Sequence, residues 1–190
     1  MDYTTLSEVK LALGSLESTD DVLLSSLITQ ASRFIDRYCA GFVDSDNYFA
    51  HQSVIDEVNI GYINANGVLR CFLRKPIVTS VTAFRYKRFP HDMWQDVDPD
   101  MVNVQGYVIS VSGFKYGGKV QVMVNYSGGF DLLPGDIVNA ATLLTVRFYR
   151  EVKSGLGDSI GIAELGTLTY TKAVPMRVVE MLKPYRRVIL

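Results

Sequence analysis

Few side chains in this sequence have the type and spacing that catalysis or metal binding needs. The two histidines, His51 and His91, stand apart in polar stretches, with no cysteine or acidic ligand at metal spacing. They read as solvent-facing side chains, neither a metal pair nor a general base. Ser127 follows a strand-like run in Asn125-Tyr126-Ser127-Gly128-Gly129. A nucleophile elbow needs glycine two residues earlier, where Asn125 stands, so Ser127 reads as a turn residue. Asp96-Val97-Asp98-Pro99-Asp100 opens like a calcium loop, yet Met101 stands in place of the turn glycine and Tyr107 in place of the bidentate glutamate. Without these the loop lacks its sharp bend and its last chelator. Gly155-Leu156-Gly157 follows an expected helix end, where the dipole has the wrong sign to hold a phosphate. Cys39 and Cys71 are expected to be buried reduced thiols. No catalytic residue, metal site or cofactor is therefore expected.

The composition bounds the alternatives. The chain has 190 residues, 48% hydrophobic and 11% aromatic, which excludes wholesale disorder. With 19 basic and 20 acidic side chains the formal charge is −1, so a uniformly basic nucleic-acid binder is excluded, though a local basic patch is not. No uncharged apolar run reaches the length of about 18 residues that a membrane span needs, so no membrane partner is expected. Met1 to Thr5 has neither a basic patch nor an apolar core and is not expected to act as a secretory signal.

The elements that would carry any site follow from periodicity. Thr5-x-x-Glu8 has capping-box form ahead of Leu6, Val9 and Leu13, with Gly14 as the stop. After Asp20 and Asp21, the residues Leu24, Leu27, Ile28, Ala31, Ile35 and Tyr38 repeat at helical spacing as far as Gly41. Ser25, Ser26, Thr29, Gln30, Arg33, Asp36 and Arg37 are expected on the opposite face. Residues 43–52 read as a loop and 54–63 as an irregular strand. Further strands are expected over 69–74, 77–86, 101–104, 107–111 and 119–126, with turns at Asn66-Gly67 and Gln105-Gly106. In the last of these Val120, Val122, Val124 and Tyr126 share one face. Short strands without intervening helices predict an antiparallel sheet or a small barrel. Pro134 then opens a helix with an Ile137, Ala140, Ala141, Leu144, Phe148 stripe, and Pro175 opens a short one with Val178, Val179 and Leu182. Between them, four glycines within Ser154 to Gly166 predict a mobile loop. The expectation is an α+β fold. One helical domain comes from residues 1–41 and 127–190, with two N-terminal helices, one long helix and a short C-terminal helix; a central antiparallel β insert spans 42–126.

Two patterns suggest surfaces that bind partners. Arg70, Arg74, Lys75, Arg85, Lys87 and Arg88 occur with no acid between 70 and 91, and Asp92, Asp96, Asp98 and Asp100 follow at once. One reading is charge complementarity between neighbouring copies, with Arg85, Lys87, Arg88, Asp96 and Asp98 as candidates. The alternative is a nucleic-acid-binding module on the basic β surface of residues 70–90, using Phe84, Tyr86 and Phe89 as stacking platforms. The second pattern is Tyr185-Arg186-Arg187-Val188-Ile189-Leu190, whose apolar triplet would gain by burial in a partner's groove.

Three stretches resemble the head–tail connector (adaptor, or head-completion) family of tailed bacteriophages and prophages. The first is Tyr3 to Lys10 with Asp20 to Leu24 and Ile35-Asp36-Arg37-Tyr38-Cys39. The second is Val124 to Phe130 with Pro134, Asp136, Ile137, Ala140 and Ala141. The third is Leu182-Lys183-Pro184-Tyr185-Arg186-Arg187. The resemblance implies a structural virion protein without catalytic residues, assembled in the bacterial host cytoplasm. It would form a homo-oligomeric, dodecameric ring under the portal at the head–tail junction. The partners implied are the portal protein, a tail-side completion, stopper or tail protein, and DNA sliding through the lumen without sequence recognition. By matching position, Tyr185, Arg186, Arg187, Val188, Ile189 and Leu190 would contact the portal. Gly155, Gly157, Ile160, Gly161 and Gly166 would form a mobile contact with the channel or the next ring.

Overall fold

A computed structural model of the chain describes residues 1–14, 18–41, 47–154, 159–162, 166–169 and 174–187. Thr5 starts helix α1 (Leu6–Leu13). Its hydroxyl accepts the Glu8 N–H at 3.3 Å and the Glu8 carboxylate accepts the Thr5 N–H at 2.8 Å, which completes the capping box. Gly14, at φ 70°, ends the helix, as expected. Helix α2 (Asp21–Ala40) ends at Gly41, φ 75°, and buries Leu24, Leu27, Ile28, Ala31 and Ile35. Helix α3 (Gly135–Ser154) begins after Pro134, whose carbonyl accepts the Ile137 and Val138 N–H groups. It buries Ile137, Ala140, Ala141 and Leu144 and half-buries Phe148. Helix α4 (Met176–Leu182) buries Val178 and Leu182 and runs into a 3-10 turn at Lys183–Tyr185. The longest helix contact is α2 on α3; α1 and α4 also pack on α3. Val9, Leu24, Ile28 and Val146 form one apolar cluster there. These helices belong to a compact unit of Met1–Asn47 and Leu133–Leu190.

Asp36 departs from the expected pattern. Placed by spacing on the outer face of α2, it is instead wholly buried, because Tyr3 and Asn47 from outside the helix, with Arg33 one turn earlier on it, converge on its carboxylate.

A second compact unit, Tyr48–Leu132, holds β1 (Gln52–Ile63), β2 (Val68–Phe72), β3 (Val78–Lys87), β4 (Gln95–Val97), β5 (Asn103–Gln105), β6 (Val108–Ser112) and β7 (Gly118–Gly128). They form a seven-stranded antiparallel sheet in the order β4-β3-β7-β1-β2-β6-β5. Among the described residues the fold is thus α+β, four helices with an antiparallel sheet. Val120, Val122, Val124 and Tyr126 turn one face of β7 into the core, as their alternation requires. They meet Ile63, Leu69, Cys71, Leu73, Phe84 and Ile109 there. The ladder between β1 and β2 has only two residue pairs, Tyr62↔Arg70 and Ile63↔Leu69. The Val78 N–H, at the start of β3, donates to Gly106 O in the β5–β6 turn at 3.0 Å. Together these roll the sheet back on itself around its apolar face.

Three local differences have physical causes. Strand β1 starts at Gln52, inside the expected loop, and the ladder with β7 slips between Val54 and Glu57, where Asp56 takes φ 52°. This bulge is the irregularity that breaks the strand's sequence pattern. Met101 closes a 3-10 turn over Pro99–Met101 rather than opening a strand, because the Asp98 side chain caps the turn at the Asp100 N–H. In the glycine-rich stretch expected to be a loop, β8 (Ser159–Ile162) and β9 (Gly166–Thr169) pair antiparallel. The β-branched isoleucines and threonines between the glycines favour extended backbone.

Candidate interaction surfaces

In the helical unit, the segment expected to reach a partner begins from a fixed base. The Arg187 N–H donates to the Cys39 carbonyl at 2.8 Å, and the Arg186 guanidinium lies 5.5 Å from the Tyr38 ring centre. Tyr185 is half-buried, and burial, with the nearby Asp136 charge, pushes its hydroxyl above the usual tyrosine range. Residues 185–187 are therefore tied to the C-terminal end of α2; Val188, Ile189 and Leu190 lie outside the described residues. Gly155 and Gly157 also lie outside them, whereas Ile160 and Gly161 are in β8 and Gly166 in β9.

The same unit is held by two polar clusters that the sequence did not signal. Asp36 accepts the Tyr3 hydroxyl, the Asn47 N–H at 2.9 Å and the Arg33 guanidinium at 3.2 Å. Tyr3 N–H in turn donates to Ser32 Oγ at 2.9 Å. Asp20, at the start of α2, accepts Lys153 Nζ at 2.8 Å and the Tyr149 hydroxyl at 2.6 Å from the last turns of α3. Those two bonds hold its carboxyl below the usual range. Cys39, buried and free, has its thiol pushed up to about 12 by burial and by Asp36. A thiol so disposed stays protonated and unreactive.

In the sheet unit the charged residues of 70–100 are divided between buried and exposed positions. Lys75 is buried, its ammonium donating to Ala50 O at 2.9 Å. Arg85 Nε bonds Asp96 Oδ1 at 2.8 Å across β3 and β4 of the same chain, with both side chains still open to solvent. Lys87 folds over the Trp94 ring at 4.8 Å, and Arg88 lies over Tyr116 at 5.1 Å. Asp98 caps the 3-10 turn and stays exposed. The stacking platform expected of Phe84 and Tyr86 is not present, since Phe84 is in the core and Tyr86 packs edge-on against Phe114 at 4.9 Å. Both have the inward parity of β3; Phe89, by contrast, is exposed. A cavity of about 310 Å³ opens beside them, lined by Ile63, Tyr86, Arg88, Phe114, Lys115 and Tyr116.

The residues weighed for chemistry are scattered. His51 sits 3.3 Å from Asp131 on the surface, and His91 is exposed in the β3–β4 connection. Ser127 Oγ lies 3.2 Å from Ser53 Oγ on adjacent strands. Among the described residues, no group of three His, Cys, Asp or Glu side chains could hold a metal, and no helix is long and apolar enough to cross a membrane.

Sequence reasoning missed two features of this sheet. Glu57 is buried and gathers the Tyr126 hydroxyl at 2.5 Å, the Arg74 N–H at 3.0 Å and the Asn59 amide at 2.5 Å. On the other face, Val58, Ile60 and Tyr62 point to solvent, at 49%, 70% and 58% exposure. The bulge at Asp56 is the cause of both, since it sets which parity of β1 faces inward.

The arrangement is that of an α+β protein whose distinctive features are surfaces and tethers. A family model described as head completion protein matches residues 2–188, nearly the whole chain, and the chain belongs to that family. The family is structural and non-enzymatic, which makes this a phage virion component. None of the curated proteins compared with the chain matches it.

Proposed function

We propose that this head completion protein acts as a head–tail connector, a homo-oligomeric ring beneath the portal that joins capsid to tail and lines the DNA conduit. The observation that carries the reading is the family match across residues 2–188, which includes both the helices and the sheet. Each copy in a closed ring repeats one contact and leaves no open end. Its partners are the portal above, a stopper or tail protein below, and DNA passing through. A formal charge of −1 fits that passage, because many phosphate contacts would give tight, salt-dependent binding instead of sliding.

Residues 185–190 supply the portal contact in this reading, starting from the Arg187–Cys39 tether. The stretch 155–166 supplies the contact toward the channel or the next ring. The nucleic-acid-binding alternative loses its support at Phe84, Tyr86 and Lys75, all turned inward or buried. Electron microscopy of the protein mixed with its portal tests the reading. Ring density on the tail side of the portal is expected; a bare portal at saturating protein would refute it, as would tight, salt-sensitive DNA binding by the isolated protein.

A further inference from the structure

The solvent face of the sheet carries a repeated arrangement. Directly opposed residues of antiparallel strands share a face, so the register defines three rows. Val58 lies beside Met123, which lies beside Arg85; Ile60 lies beside Gln121, which lies beside Lys87; Tyr62 lies between Lys119 and Arg70. Each row sets one exposed apolar side chain of β1 next to a cation or one strand from it. Asp96, held by Arg85, is the acid at the edge of the first row.

The edge of the same sheet carries the opposite chemistry. Around β4, Asp92, Asp98 and Asp100 are exposed together with Met93 and Met101, at 88% and 63% exposure. Among the described residues, no ion pair involves Asp92, Asp98 or Asp100, nor Arg70 or Lys119 on the face. Asp92 and Asp98 each accept a backbone N–H, from Phe89 and Asp100, which fixes the loop while leaving the charges in water.

We propose that the β1 face, centred on Ile60 and Tyr62, seats the acidic, methionine-bearing β4 edge of a second copy of this chain. The claim rests on the ring reading above and names the surfaces through which neighbours would meet. Three strand spacings separate β4 from β1 in the sheet order, roughly 14 Å, so a copy cannot fold its own edge onto its own face. The contact is heterologous. Every added copy leaves one free face and one free edge, and only a closed ring or an endless filament satisfies both. Apolar side chains meet methionines, which adapt to irregular surfaces, while Arg70 and Lys119 meet Asp98 and Asp100. Complementary charge fixes the direction of docking, because face on face would oppose cations and edge on edge would oppose acids.

Mixing two variants, each with one added surface cysteine, tests the pairing. Ile60→Cys and Met93→Cys both change exposed side chains, and the native Cys39 and Cys71 are buried. Under mild oxidation, alone and with portal, the mixture is expected to give disulfide-linked dimers that neither variant gives by itself. Dimers of Ile60→Cys alone would show face-to-face pairing and overturn the proposal. No cross-link under conditions where the wild-type protein forms rings would also overturn it, leaving the ring reading intact. If the wild-type protein forms no oligomer even on the portal, both fail. A charge exchange gives a second readout. Asp98→Lys with Asp100→Lys should weaken association at least about tenfold, and copies carrying Arg70→Glu with Lys119→Glu should restore it when mixed in; no loss, or no restoration, counts against the pairing.

Discussion

The Tyr126 hydroxyl donates to a Glu57 carboxylate oxygen at 2.5 Å inside the sheet, and it also accepts the Lys75 N–H at 3.3 Å. Burial, and then the Glu57 carboxylate, push the phenol well above the usual tyrosine range, so it stays a donor. Tyr126→Phe removes that donor from a buried acid and should cost about 1–3 kcal/mol. The shift of the urea unfolding midpoint at pH 7 measures it. A change within about 0.5 kcal/mol would mean that water replaces the hydroxyl.

Cys39 gives a pH dependence with a definite sign. Its thiol is pushed up to about 12 in the folded chain, against an ordinary value of 9.0. The unfolded chain therefore loses this proton first, and the stabilisation present below pH 9 declines as pH rises toward 12. The decline has a limiting slope of about 1.4 kcal/mol per pH unit. Between about pH 9 and 10, below the range where unfolded tyrosines titrate, wild-type stability should fall more steeply than that of Cys39→Ala. Parallel profiles for the two proteins would remove Cys39 as the cause.

Two glycines separate backbone strain from steric exclusion. Gly14 adopts φ 70° with open space around it, so Gly14→Ala should cost about 1 kcal/mol from the left-handed conformation alone. Gly129 adopts φ 105°, and a Cβ there would lie 2.3 Å from Ala50 O, a backbone atom that cannot swing away. Gly129→Ala should therefore be the more damaging of the two, above about 3 kcal/mol or failing to fold. Thermal melts of both variants compare them directly.

How much of this was legible depends on whether the signal was local. The Thr5–Glu8 capping box, the stops at Gly14 and Gly41, and the β7 alternation are set by neighbours within a turn or a strand, and the structure keeps each of them. Asp36 was not legible. Its neighbours on the helix do not bury it; Tyr3 and Asn47, remote in sequence, do. Strand β1 misleads in another way. Period-two alternation alone would turn Val58, Ile60 and Tyr62 inward, yet Glu57, Gly61 and Ile63 are the buried set. The carboxylate is tolerated inside because Tyr126, Asn59 and the Arg74 N–H satisfy it. The β1 face was therefore the part of the candidate interface that sequence could not reach. The basic run was visible, but not which of its cations, such as Lys75, would be buried.

Removing Val188, Ile189 and Leu190 tests the portal contact most directly. The last described tether is the Arg187 N–H to Cys39 O bond, backed by Arg186 over Tyr38, and a chain ending at Arg187 keeps both. Its unfolding midpoint should therefore match that of the full chain. Binding should not match. Each apolar side chain buried in a partner's groove contributes about 1.5–3 kcal/mol before ordering costs. A net loss of only about 3 kcal/mol for all three would weaken portal binding about a hundredfold. Arg186→Ala is the companion variant. It keeps the triplet but loosens its base on Tyr38, so it should weaken binding less than the truncation while leaving the fold intact. If truncated copies stay folded and heads still join tails at the normal rate, the portal is held by another part of the chain, and residues 185–187 serve only to pin the end of α2.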